Sequence, residues 1–585
     1  MLDQDVAAEF LINRTGNPDR QAARELAGML DGLPLALEQA AAYIDAIGGS
    51  LAGYSSLFRQ RRAELLARGE PTGYDKTVAS TWALAFDRLQ QTEPGAVGLL
   101  RLLAFYASEE IPLRLLLQPH PELAGKLGDE VASVLVPLLE DPLAAGDALK
   151  GLRRYSLISP AAEGSGSVHR LVQDVTIGQM TAELAGEWRQ AAVAVIEAAI
   201  PADPEEPASW PAFAVLLPHA QAIVPAAAEG MGRIADYLGR SGNYAAARNL
   251  WKTVLEARER VSGGEHPGTL TARAGLAYWT GQAGDVIRAR DQFAALLPVI
   301  DEVSVTEHTQ TLTTRANLAS FTGLAGDAAG ARDQFAALLP IRERVLGPEH
   351  PDTLTTRSDL ADWTGRAGDA AGARDQYAAL LPISERVSGA KHPQTLAIRG
   401  NIADCTGVVG DTAGARDQYA ALLPVIERVL GPEHPDTLAI RANLASSTGA
   451  AGDAPGARDQ YAALLSISDQ VSGPEHPQTL VIRANLASWT GGAGDAAGAR
   501  DQYAALLPMA ERVLGPEHPQ TLTTRSNLAY WTGEVGDAAG ARDEYAVLLP
   551  IRERVLGPEH PDSLTARRDL AYWAGRAGDA AGARD

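Results

Sequence analysis

"HPDTLTTRSDLADWTGRAGDAAGARDQYAALLPISERVSG", His350 to Gly389, decides the fold. It reads as two helices. The first begins after Pro351, with Asp352 or Thr353 placed to cap its leading N–H groups, and ends near Gly365 to Gly368, residues that tolerate a left-handed turn. Asp369 caps the second. Its apolar positions Ala373, Tyr377, Leu380 and Leu381 keep the three-and-four spacing of one buried helical face. A short Gly-rich loop then leads to the next His-Pro.

Outward from this stretch the same text returns. Asn249, Asp291, Asp333, Asp375, Asp417, Asp459, Asp501, Asp543 and Asp585 are spaced by 42 throughout, which makes eight units and a stub. A period between roughly 20 and 50 residues means stacked units, none able to bury its apolar face alone. Helix pairs with Leu-Ala in the first helix, Gly at its end, then Ala, aromatic and Leu in the second resemble the tetratricopeptide repeat. The junction "ERVLGPEHPDTL" and the 42-residue period are similar to the kinesin light chain type. Aligned on Ala319, Gly326, Ala331 and Phe335, the pattern holds in every complete unit. The resemblance implies a right-handed α-solenoid.

Two departures from the common pattern stand out. A proline lies inside the second helix at Pro298, Pro340, Pro382, Pro424, Pro508 and Pro550, with Glu256 and Ser466 in the other two units. Such a proline removes one hydrogen bond and clashes with the carbonyl four residues back, costing roughly 3 kcal/mol unless the helix bends, so a bend is expected. The first helix carries an aromatic at Trp279, Phe321, Trp363, Trp489, Trp531 and Trp573, interrupted by Cys405 and Ser447. Its projection falls between the core stripe and the outer face, which leaves a core role and a groove contact both open.

In solenoids of this family the first helices line a concave groove, and the resemblance implies a protein or peptide ligand there. With Leu312, Leu318, Ala319 and Thr322 on the buried side, Thr313, Asn317, Ser320 and Leu324 fall on the opposite stripe. Asn317 recurs as Asn401, Asn443, Asn485 and Asn527, with Asp359 and Asp569 in two units and Gly275 in the first. A side-chain amide both donates to and accepts from a peptide backbone, so this ladder is the candidate groove site. The alternative is that it bonds only to the neighbouring unit.

Arginine stands two residues earlier in each unit, from Arg273, Arg315, Arg357 and Arg399 to Arg441, Arg483, Arg525 and Arg567. The offset turns it toward the next helix pair, where an acidic loop residue such as Glu349 would make a structural ion pair. Eight histidines, one per junction (His266, His308, His350, His392, His434, His476, His518 and His560), lack the clustered spacing of a metal site and are expected to shape the junction before the first helix.

The periodicity is absent before residue 226. "FLINRTG" at Phe10 to Gly16 and "GLPLAL" at Gly32 to Leu37 resemble the helical ARC subdomain of NB-ARC switch ATPases. "GLRRYSLISPAAEGSGSVHRLVQDVT" reads as a strand, a polar loop and a second strand, the wing of a winged helix. In that family His169 of "VHRLVQ" would reach a diphosphate and Pro34 would line the adenine side. Arg170 departs from the usual acidic residue after the histidine, and a histidine pairing at the end of a strand is the plainer alternative. The P-loop pattern GxxxxGK[ST] does not occur: "LAGKLGDE" places Leu127 after Lys126. No catalytic constellation or metal site is expected. ADP or ATP is expected only together with a P-loop subdomain, so the chain reads as a fragment begun after that subdomain and cut within a repeat at "GDAAGARD", Gly578 to Asp585.

Composition narrows the classes further. A net charge of -22 argues against broad contact with nucleic acid phosphates or anionic lipid. The single Cys405 rules out an internal disulfide and fits a reducing, cytoplasmic compartment. No membrane span is expected. The expected architecture is mainly α, with an ARC-like helical subdomain (1–70), a winged-helix-like domain (71–185), a helical connector (186–225) and the repeat array (226–585). It suits the recognition and regulatory part of an actinobacterial NB-ARC/tetratricopeptide STAND switch that oligomerises on activation. A stand-alone scaffold is the alternative, and a transcription regulator the third reading.

Overall fold

The computed structural model describes residues 2–30, 32–67, 75–123, 125–161, 164–303 and 309–578. The expected boundary near residue 70, His308 and all but the first residue of the closing "GDAAGARD" lie outside them. The chain divides into two compact units, Met1–Ile234 and Ala235–Asp585, and the division falls inside the helix Glu229–Arg240.

The first unit opens with helices Gln4–Thr15, Arg20–Met29, Pro34–Ile47 and Leu51–Ala67. Pro34 occupies the first turn of the third, where its missing N–H costs nothing. Gly32 before it sits at φ 59° with the Leu2 carbonyl oxygen where a β-carbon would stand, so the turn requires glycine. Further on, the almost wholly buried helix Pro94–Leu103 packs among Asp129–Glu140, Pro142–Arg154 and Ala182–Ala199. The strand–loop–strand is present but short: β1 (Ser159–Pro160) pairs antiparallel with β2 (Gly166–Ser167), and Ile111 bridges to Gly166. Arg153 and Arg154 end a helix, and Arg154 is paired with Glu93 at 3.0 Å.

The second unit is a solenoid of helix pairs. His350 to Gly389 forms the helices Pro351–Arg366 and Ala370–Val387, and the flanking pairs repeat them. Each pair closes a small core against the next, such as Leu480, Ala487, Tyr503, Leu506 and Ala510. Asp369 caps the second helix as expected, accepting from the Gly372 N–H at 2.7 Å. The cap of the first helix is a correction. His350, not Asp352 or Thr353, does this work: its Nδ1 accepts from the Asp352 N–H at 3.2 Å. The following proline holds the histidine backbone extended, whereas Asp352 and Thr353 are already helical. His392, His434, His476, His518 and His560 repeat the bond, and His266 does so with Gly268.

The second helix runs unbroken through its proline, as in Ala370–Val387 around Pro382. Pro382 and Ala378, whose carbonyl loses its partner, are both exposed, so water can take the missing bond. Winding also brings successive turns of the array together. His518 Nε2 stands 3.1 Å from the Gln282 carbonyl and His476 Nε2 3.4 Å from that of Arg240, each 236 residues away. Burial holds both imidazoles below their ordinary pKa. That favours the neutral ring, with Nδ1 accepting the cap bond and Nε2 donating across the turn.

Candidate functional site

The polar ladder lies along the first helices, half-buried in every unit where it occurs. Asn443 Nδ2 donates to the Tyr419 hydroxyl at 3.2 Å, Asn485 to Tyr461 at 3.4 Å and Asn527 to Tyr503 at 3.1 Å. Each hydroxyl in turn donates to a first-helix carbonyl of its own unit, Gly400, Ala442 or Ala484, at 2.9, 2.8 and 2.7 Å. The neighbouring-unit bond is therefore real at these three positions. It uses one amide hydrogen, and a primary amide keeps a second hydrogen and a carbonyl.

The same 24-residue offset places Asn317 after Phe293 and Asp359 after Phe335, which lack a hydroxyl, Asn401 after Tyr377 and Asp569 after Tyr545. In the first unit of the array Trp251 takes the space instead, standing 2.7 Å from where a β-carbon of Gly275 would be. Asp569 is bonded by Arg568 at 2.9 Å. Asp359 is pushed up to about 6, chiefly by burial, with Arg342 pulling against it and Asp362 adding to it. The ladder thus changes charge at one rung near neutral pH.

The arginine row is structural, with a partner different from the one expected. Arg357 pairs with Glu343 at 2.7 Å, near the end of the preceding second helix, while Glu349 pairs with Arg386. Arg273, Arg315, Arg399, Arg441, Arg483 and Arg567 repeat the fourteen-residue reach. Arg525 instead meets Glu544 at 3.5 Å. The aromatics belong to the core: Trp279, Phe321, Trp363 and Trp573 are buried, and Trp489 and Trp531 half-buried.

Pro34 and His169 belong to the first unit, and both are exposed. His169 caps the helix Arg170–Gly178, its Nδ1 accepting from the Leu171 N–H at 3.2 Å. The Pro34 helix is tied to the base of the hairpin by Ser156 Oγ, which donates to Glu38 at 3.1 Å, and by the Tyr43 and Tyr155 rings. Among the described residues no three His, Cys, Asp or Glu side chains are grouped to hold a metal ion, and no helix is long and apolar enough to cross a membrane.

Two cavities of the array were not foreseen. One of about 800 Å3 lies where successive turns meet, between Gly284 to Ala295 and Leu514 to His518. No local pattern could announce it, because it joins distant units. The other, of about 260 Å3, lies beside Asn401 and Cys405. Its signal was visible in the interruption of the aromatic row.

Family models described as tetratricopeptide repeat match residues 226–302 and 309–386, and, in a second form, 395–436, 437–478, 479–520 and 521–562. A domain of unknown function matches 86–184. Over 278 residues the chain is 27% identical to a nucleotide-binding leucine-rich repeat (NLR)-like protein of Hyaloscypha variabilis, an overlap of 42% of this chain and 25% of that protein. The chain thus spans about a quarter of that relative's length. Among solved structures, a signal transduction ATPase with numerous domains (STAND) carrying a tetratricopeptide repeat sensor, from Pyrococcus horikoshii, is 11% identical with a TM-score of 0.35, covering 99% of this chain and 70% of that one. A Rap protein complexed with competence and sporulation factor is 12% identical with a TM-score of 0.41, covering 60% and 93%.

Proposed function

Because the chain belongs to the tetratricopeptide-repeat family, whose matches span more than half of it, we propose that the array recognises a protein or peptide, and that the chain senses and relays in a nucleotide-controlled signalling switch. The polar ladder carries the recognition reading. At Asn443, Asn485 and Asn527 a hydroxyl bond fixes the amide before a ligand arrives, so the remaining hydrogen and carbonyl are pre-oriented for a peptide backbone at little entropic cost. Repetition at a fixed interval suits an extended ligand and leaves its sequence to be read by other contacts.

The relay reading rests on the "GLPLAL" helix tied to the hairpin base, and on similarity to a protein whose name includes nucleotide binding. The residues present do not make a phosphate cradle, since no GxxxxGK[ST] occurs in the sequence. In this proposal the chain is not an enzyme, and ADP or ATP is held only when a P-loop subdomain joins it, with Pro34 and His169 on the nucleotide side. The switch works in the cytoplasm, and ligand in the groove biases its two states toward an oligomerising one.

The test is selection of binders from a displayed peptide library on the full chain, followed by Asn443→Ala with Asn485→Ala. Affinity falls by about tenfold or more while helicity is kept. Unchanged affinity in the double variant removes the ladder from recognition. If peptides bind, but nucleotide never does even with a P-loop subdomain fused, the chain is a scaffold and not part of a switch.

A further inference from the structure

In six units the first-helix aromatic lies over a glycine of the preceding first helix: Trp279 on Gly239, Phe321 on Gly281, Trp363 on Gly323, Trp489 on Gly449, Trp531 on Gly491 and Trp573 on Gly533. The fit leaves no room for a methyl group on any of these glycines. Where Cys405 replaces the aromatic, Gly365 is uncovered, and the nearest atom to a β-carbon there is Ala373 Cβ at 3.3 Å. The helices have not closed over the vacancy. The cavity of about 260 Å3 stands in it, between Asp362, Gly365 and Arg366 of one first helix and Asp404, Cys405 and Val408 of the next.

We infer that this cavity is an anchor site for an aromatic side chain of a peptide ligand that carries a positive charge beside the ring. The size class follows from the six units in which this chain itself fills the same place with an aromatic ring. The charge follows from the rim. Arg366 and Asp362 pair at 2.8 Å and offset each other, which leaves Asp404 as the rim's remaining carboxylate, open to solvent on one side, its pKa raised by burial and by Asp362 against a hydrogen bond with Tyr419. The Cys405 thiol is held above its ordinary range by burial and by Asp404 and Asp362, so it lines the site as a small neutral wall. Asn401, the ladder residue of this unit, also lines the cavity, so a seated ring would bring the ligand backbone to the ladder. That last link rests on the peptide-recognition reading; the cavity's preference for an aromatic cation does not.

Calorimetry on the full chain with tryptophanamide, an indole bearing an ammonium group, tests the site directly. N-acetyltryptophanamide, which lacks the charge, is the comparison probe. Tryptophanamide binds more tightly, and Cys405→Trp, which restores the row, weakens it by about tenfold or more without lowering the melting temperature. Asp404→Asn keeps the volume and narrows the difference between the probes, which reads the site even if Cys405→Trp misfolds. Equal binding of tryptophanamide to a folded Cys405→Trp variant, or no preference for the charged probe, overturns the inference. Failure of a peptide library to yield any binder, with the probe results intact, overturns the peptide reading instead.

Discussion

The array and the first unit bury residues of the same kinds and use them differently. In the array, Tyr461 and Tyr503 do the same thing one period apart, each hydroxyl tied to a carbonyl of its own unit and an asparagine of the next. In Met1–Ile234 the bonds are single instances. Gln173 Nε2 donates to the Leu103 and Tyr106 carbonyls at 3.1 and 3.0 Å, and the Tyr106 hydroxyl donates to Ala192 at 3.0 Å. The array is a sum of neighbour terms, whereas the first unit is one core whose parts depend on one another.

Matched cavities would break or sharpen that contrast. Leu480 and Leu100 are both buried, and replacement of either by alanine should cost about 2–5 kcal/mol. Hydrogen exchange separates the outcomes. Leu480→Ala loses protection in its own and adjoining helix pairs and leaves Pro351–Arg366 protected, while Leu100→Ala loosens helices throughout the first unit. Uniform loss across the array after Leu480→Ala would mean that the contacts between turns bind it into one cooperative body.

A smaller effect comes from making one unit resemble its siblings. Asp359 titrates at about 6 in the folded chain against an ordinary 3.8, because burial disfavours its charge. The folded state therefore holds the proton more tightly, and the stability this confers, full below 3.8, is lost as pH rises through about 6. Asp359→Asn removes the buried charge. It should gain about 0.5–2 kcal/mol at neutral pH, with the gain shrinking as pH falls below about 6. Thermal denaturation of both proteins across that range checks it, and a gain independent of pH would place the effect elsewhere.

Repetition also explains what could be read from the letters alone. Helix pairs, aspartate caps and the polar ladder were legible because each appears in the same register unit after unit. The histidine caps were misassigned because Asp352 and Thr353 are commoner capping residues, and only the extended backbone before Pro351 shows that His350 reaches the N–H first. The partner of Arg357 was missed by one turn of packing, since the end of the second helix, not the loop, lies beside it. The contact of His518 with Gln282 has no local signal at all: it depends on small rotations per repeat adding up over 236 residues. In the first unit the hairpin was legible from its Gly-Ser loop, but the strands are only two residues each, and helix extends to Arg154.

The smallest expected effect concerns the most regular feature, the arginine row. Arg441 and Glu427 meet at 2.7 Å with side chains 26% and 32% exposed, so water screens much of their attraction. A double-mutant cycle to alanine should give a coupling of about 0.2–1 kcal/mol that declines with added salt. The same cycle on Arg525 and Glu511 should give none, because Arg525 has turned to Glu544. Regular recurrence would then reflect orientation of neighbouring helices more than stability, since a pair this exposed contributes little yet disfavours packings that leave two like charges facing. A coupling of several kcal/mol at Arg441 would reverse that ranking and make the ion pairs, not the apolar seams, the principal bond between units.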